Sequence, residues 1–320
     1  MADPKRPFRF GVVGESIRSG EQLLATARRA EDLGYSTLVL RDHFVGEPFG
    51  DQLAPLVALT AAASATRTLR IGTQVLDNDY RHPVLLAKEA ATLDVLSGGR
   101  LELGIGAGWL REEYDLAGMP FAAAGVRVSR LEESLEVLKG LFSGSAFTFR
   151  GAHYQVNGLA SFPRPAQRPH PPMLVGAGSR RMLGIAGRHA DIVGILPKAL
   201  PDGTISGDLS ERSPQAVARK VEWVRQAAGE RFGAVELSMM VSVIVAPDHW
   251  KVAERLAAKW GWVAAAAERV LEMPSLLIGS PDRIAEEMQV RRDRYGFSYY
   301  VISDQDVEAF GPVVDRLCGC

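Results

Sequence analysis

The run Arg41-Asp42-His43-Phe44 sets a carboxylate beside an imidazole, directly after the apolar stretch Leu38-Val39-Leu40. An imidazole exchanges protons near neutral pH, and a carboxylate beside it can orient the ring and steady its charge. A capping Asp and a packed His would produce the same letters, and position alone weighs the two readings equally. Three other runs gather small and polar groups. Gly72-Thr73-Gln74-Val75-Leu76-Asp77-Asn78 offers a ledge on which a flat ring could rest, although polar strand ends are common without a ligand. Gly104-Ile105-Gly106-Ala107-Gly108-Trp109 has the glycine density that lets a backbone approach a ligand closely, and plain barrel packing also uses glycine. Gly176-Ala177-Gly178-Ser179-Arg180-Arg181 opens a helix, where free N–H groups and two guanidinium groups favour a phosphate. A tight turn with solvent-facing arginines is the plainer alternative there.

These runs need elements that bring them to one place. Short apolar stretches alternate with longer amphipathic ones along the chain. Strands are expected at Phe8–Val13, Thr37–Leu40, Leu69–Val75, Arg100–Ile105, Met173–Val175, Asp191–Leu196, Glu236–Val245 and Ser298–Ile302. The intervening stretches carry helical spacing, as in Leu23, Ala27 and Ala30 or Leu86, Ala90 and Leu93. Ser213-Pro214 and Ser280-Pro281 read as helix starts, and Ser129-x-x-Glu132 as a capping box opening another. Strands separated by helices run parallel, and eight such units close a (β/α)8 TIM barrel. The reading is one domain over residues 1–320, with insertions at about 109–128, 143–171, 197–213 and 246–275. A small hairpin is expected at Phe147–Val156, turning at Gly151. In such barrels the site lies at the C-terminal ends of the strands, where all four runs fall.

Composition narrows the classes. The formal net charge of −1 gives no basic field for nucleic acid. No stretch is long and apolar enough to span a bilayer, and the first residues lack a signal-peptide core, so a cytoplasmic location is expected. Cys318 and Cys320 close the chain and complete neither a metal site nor a disulfide framework.

Ala30-Glu31-Asp32-Leu33-Gly34-Tyr35, Asp42-His43-Phe44, Gly72-Thr73-Gln74-Val75, Arg100 through Trp109, Gly176-Ala177-Gly178 and Ala186-Gly187-Arg188-His189-Ala190-Asp191 occur here in order. Together they make the chain resemble the luciferase-like monooxygenase superfamily, in its branch of coenzyme F420-dependent oxidoreductases. The resemblance implies an α/β barrel holding F420, with FMN as the alternative cofactor, and a homodimer. It implies that Asp42 and His43 face the reacting part of the deazaflavin. Gln74 and Val75 would lie under its ring, joined by a cis peptide bond. Gly106, Ala107, Gly108 and Trp109 would flank the cofactor, and Gly176, Ala177, Gly178 and Ser179 would receive the phosphate of its tail. One departure stands out: sugar-phosphate dehydrogenases of this kind carry an acid where this chain has Trp109. Glu112, Glu113 and Tyr114 are the nearby substitutes. With no cluster of lysines in view, glucose 6-phosphate is not the expected substrate.

The expected function is a reductase passing hydride from reduced F420 to an electron-poor double bond, such as a dehydroamino acid or other activated alkene, in a small molecule or peptide. His43, oriented by Asp42, would handle the proton. Trp109 and Lys198 would meet the substrate, with 197–213 as a covering loop or a surface insertion. An FMN-dependent monooxygenase and a non-catalytic flavin-binding barrel are the alternatives.

Overall fold

The computed structural model describes residues 6–263 and 266–320. Its main sheet forms from β1 (Arg9–Val13), β2 (Thr37–Leu40), β3 (Arg70–Thr73), β4 (Leu101–Gly106), β5 (Met173–Ala177), β6 (Ile192–Ile195), β7 (Glu236–Met240) and β8 (Phe297–Ser303). All neighbouring pairs are parallel, β8 lies between β1 and β7, and β3 pairs with β4 to close the ring. This is the expected (β/α)8 barrel. Residues alternate between its two faces. Val13, Val39, Leu174, Ile192, Tyr299 and Val301 meet inside the barrel. Phe10, Val12, Leu38, Val193, Tyr300 and Ile302 face outward against the helices.

The barrel floor is ionic. Arg9 donates to Glu102 at 2.6 Å and to Glu236 at 2.6 Å, and its guanidinium lies 3.6 Å from the centroid of the Tyr299 ring. Arg70 donates to the same Glu102 oxygen at 2.6 Å. These groups stand at the starts of β1, β3, β4 and β7, the end opposite the site.

Three expectations are corrected. Ser129-x-x-Glu132 is not a capping box: the helix runs Ala124–Phe142, and the Ser129 hydroxyl bonds back to the Gly125 carbonyl inside it. The apolar run 236–245 is not one strand. It breaks at Val241, and Ser242–Val245 leaves the barrel to pair in parallel with Leu276–Gly279. That second pair carries its own apolar cluster, with Val252, Ala253, Val270 and Ile278 buried and Trp260 and Trp262 packed against it. β3 also ends early, at Thr73; Leu76–Asp77 resumes pairing with β4 after the Gln74–Val75 bond. The helix starts at Ser213-Pro214 and Ser280-Pro281 and the hairpin of Phe147–Arg150 with Gln155–Leu159 are as expected. Among the described residues, no helix is long and apolar enough to cross a membrane.

Candidate active site

A cavity of about 690 Å³ opens at the C-terminal ends of the barrel strands. Every strand contributes to its wall: Val13, Arg41, Gln74, Gly106, Ala177, Ile195, Met240 and Ser303 stand at or just past the eight strand ends. The structure brings all the predicted site residues to this one cavity. Asp42, His43, Gln74, Val75, Gly106, Ala107, Gly108, Trp109, Gly176, Ala177, Gly178, Ser179 and Lys198 all line it.

The partner of His43 differs from the expectation. Asp42 turns away to the Arg81 guanidinium, at 2.9 Å through one oxygen, and accepts the Asp77 N–H at 3.1 Å through the other. The carboxylate on His43 belongs to Glu113, whose Oε2 lies 3.0 Å from Nδ1. Glu113 comes from the short helix Arg111–Leu116 after β4 and is 2% exposed. Burial by itself would push its carboxyl up. The His43 ring, the Phe44 N–H and the Tyr80 hydroxyl all bond to it and hold it below the usual carboxylate range. An ionised Glu113 takes the Nδ1–H, which leaves Nε2 of His43 as the nitrogen free to exchange a proton in the cavity. Glu113 is one of the three nearby substitutes that the sequence offers. Helical spacing of 111–116 puts it and Tyr114 inside and Glu112 outside, and the boundaries of so short a helix are hard to read.

Aromatic rings frame the imidazole. Phe49 lies 5.0 Å and Trp109 6.0 Å from the His43 ring, centroid to centroid, with Trp109 edge-on. Phe49 in turn lies under the Arg41 guanidinium, which pairs with Glu15.

Gln74 and Val75 are joined by a cis peptide bond. The Val75 side chain points at β4 and β5. A methyl group at Gly106 would stand 2.8 Å from Val75 Cγ2, and one at Gly104 only 1.9 Å from the Thr73 carbonyl oxygen. At Gly108, φ is +74° and a methyl group would lie 2.1 Å from the Tyr114 hydroxyl. So these glycines make room for protein, the plainer of the two readings the sequence allows, and Gly106 and Gly108 also line the cavity. Replacing Gly104 with alanine is expected to destabilise the fold by about 2–3 kcal/mol, because the clash is with backbone. A urea midpoint equal to that of the parent chain would contradict this.

Asp77 is a second titrating group in the wall. Its carboxyl is pushed up to about 7, chiefly by burial, with Asp79 and Asp42 adding repulsion against bonds from the Asp79 N–H and the Tyr114 hydroxyl. A carboxyl raised on folding favours the folded state fully below its unfolded pKa of about 4, and that stability is lost as pH rises through the folded value. Asp77→Asn is therefore expected to gain stability relative to the parent as pH climbs from about 5 to 8. Thermal melts across that range check it, and a pH-independent difference would contradict it.

At the far side, Ser179 caps the helix Arg180–His189, accepting from Met182 N–H at 3.4 Å. Gly178, Ser179 and Met182 line the cavity, so the open first turn of this helix faces it. The two arginines do not follow: Arg180 is exposed, and Arg181 donates to the Gly125 carbonyl and the Ser129 hydroxyl. The loop after β6 crosses the mouth. Its turn at Gly203 packs against Trp109 and Arg111 so closely that a methyl group there would stand 2.5 Å from Arg111 Cβ. His82 caps the helix Pro83–Leu96 and borders a separate surface cavity.

The fold and the site define an α/β barrel with one cavity at the strand ends and the His43–Glu113 pair in its wall. The family model for luciferase-like monooxygenases matches residues 7–298, and the chain belongs to that family. It is 29% identical over 313 residues to the F420-dependent glucose-6-phosphate dehydrogenase of Microbacterium testaceum (strain StLB037), covering 97% of this chain and 89% of that protein. It is 31% identical over 166 residues to the FMNH(2)-dependent dimethylsulfone monooxygenase of Pseudomonas putida, covering 52% of this chain and 46% of that protein. The solved structure of coenzyme F420 dependent tetrahydromethanopterin reductase from Methanopyrus kandleri shares the fold, with a TM-score of 0.76 at 18% identity over 98% of this chain and 100% of that chain.

Proposed function

We propose that the chain is an F420-dependent oxidoreductase that passes hydride from reduced F420 to an electron-poor double bond. The observation that carries this is the His43–Glu113 pair, set beside Trp109 in a cavity that every barrel strand helps to line. Full-length similarity to a relative named for F420 supports the choice of cofactor.

The residues suit such a group. Gln74 carries a buried side-chain oxygen with no partner in the cavity wall, an acceptor suited to a ring N–H. The Val75 backbone gives a flat support, and Ala107 and Trp109 flank it. The first turn of the helix at Ser179, with Gly176, Ala177 and Gly178, presents N–H groups to a phosphate. When bound, reduced F420 supplies the hydride; the protein binds, orients and manages the proton. His43 Nε2 delivers the proton that completes reduction of the double bond, and Glu113 stabilises the charged ring beforehand. Asp42 acts at a distance, fixing Arg81 and the start of the 77–80 turn.

An FMN monooxygenase is the second reading, favoured by the similarity of half the chain to an FMNH(2)-dependent enzyme. Oxygen uptake coupled to product separates it from the first. Turnover of reduced F420 with a panel of activated alkenes under anaerobic conditions tests the reductase directly; no oxidation of the cofactor by any of them would count against it. We also propose that copies pair through the helices Pro55–Ala65 and Pro83–Leu96, where Val57, Leu85 and Leu96 are 75%, 51% and 65% exposed. A monomer by light scattering would remove that pairing.

A further inference from the structure

We propose that Arg212 is an anion receptor of the cavity, placed to bind a carboxylate or phosphate of the ligand. This takes from the proposed function only that the cavity is the ligand site, not which cofactor fills it. Arg212 ends the short turn Leu209–Arg212 in the loop after β6, and it lines the cavity. Its guanidinium is half-buried, and it makes no hydrogen bond or ion pair with any described residue.

The surroundings make that lone charge informative. Other basic groups that line the same cavity are spoken for. Arg41 is held by Glu15, and Lys220 by Glu211 at 2.7 Å and the Leu196 carbonyl at 2.8 Å. Arg127 donates to the Ala122 carbonyl and lies 3.9 Å from the centroid of the Phe121 ring. The arginines at the helix start face away, so they bring no charge to an anion bound there. Lys198, exposed at the other end of the loop, is the one further lining cation without a partner among the described residues.

A half-buried guanidinium with no counterion is costly, and burial accordingly holds Arg212 below its ordinary pKa. Its backbone is also fixed. Glu211 beside it is tied to Lys220, and Ser213 after it caps the helix Pro214–Ala228 by accepting from the Ala216 N–H at 3.2 Å. A planar fork of N–H donors on an anchored stretch of backbone, partly out of water and with no partner among the described residues, matches the paired oxygens of a carboxylate or phosphate.

Such an anion has two sources, the substrate or the acidic tail of the cofactor, and one experiment separates them. Inorganic phosphate is titrated by calorimetry into the cofactor-free chain and its Arg212→Gln and Arg28→Gln variants. It is then titrated into each again after saturation with F420. Arg212→Gln is expected to weaken phosphate binding about tenfold or more, the usual loss for one charge-assisted bond. Arg28→Gln, exposed and outside the cavity, is expected to bind as the parent does. Weakening that persists with F420 bound assigns Arg212 to the substrate's acid. If F420 displaces the phosphate, and Arg212→Gln weakens F420 but not its tail-less deazaflavin core, Arg212 serves the cofactor's tail. Equal phosphate affinity in parent and Arg212→Gln, or no binding by the parent at millimolar phosphate, overturns the proposal. Phosphate binding that depends on Arg212 in a chain that ignores F420 would uphold it while removing the proposed cofactor.

Discussion

Replacing His43 with alanine is expected to lower turnover by about 10²–10⁴-fold, the usual contribution of a positioned general acid or base, with little change in cofactor affinity. The reason is the division of contacts. His43 is a single ring in the wall, whereas the cofactor would be held by the backbone around Gln74–Val75 and the helix start at Ser179. Glu113→Gln keeps shape and hydrogen bonding to the Phe44 N–H but removes the charge that favours the imidazolium. It should lower turnover by less than His43→Ala, because the neutral amide still holds the ring in place but offers it no charged partner. Asp42→Asn should lower turnover less than Glu113→Gln does, since Asp42 bonds Arg81 and not His43. Stopped-flow oxidation of reduced F420 reads all three. A His43→Ala enzyme at parental rate, or a larger loss from Asp42→Asn than from Glu113→Gln, would contradict the assignment.

Replacing Arg9 with methionine is expected to cost about 3–5 kcal/mol of stability, the loss typical when one member of a buried ionic group is removed. The cost falls on what remains. Glu102, 3% exposed, keeps only Arg70, and Glu236 keeps a weak contact from the Ser298 hydroxyl at 3.4 Å. The site lies at the opposite end of the barrel, so the folded fraction should retain cofactor binding. Denaturant unfolding of parent and variant measures the cost, and a loss under about 1 kcal/mol would mean the floor relaxes or admits water.

The barrel was legible because its strands are buried on both faces and read as short apolar runs, such as Thr37–Leu40 and Ile192–Ile195. The sites at strand ends followed from that fold. What escaped were features set by tertiary partners. Val241 gives no local sign that the chain leaves the barrel there, and Leu276–Gly279 gains its strand identity by pairing with Ser242–Val245. The true start of the helix at Ala124 has no side-chain cap to announce it, while Ser129 and Glu132 mimic one. Asp42 sits beside His43 in sequence, but adjacent side chains on an extended segment point to opposite sides, so the carboxylate that reaches the imidazole comes from 70 residues further on. Arg212 carried no motif at all; a lone arginine in a polar loop becomes informative only when its missing partner can be seen.

The most direct test of an F420-dependent reductase is side-by-side titration of the purified chain with F420 and FMN, followed by cofactor fluorescence. Tight binding of F420 and weak binding of FMN are expected. Preference for FMN would contradict the reductase and favour a monooxygenase, and failure to bind either would remove the cofactor site itself.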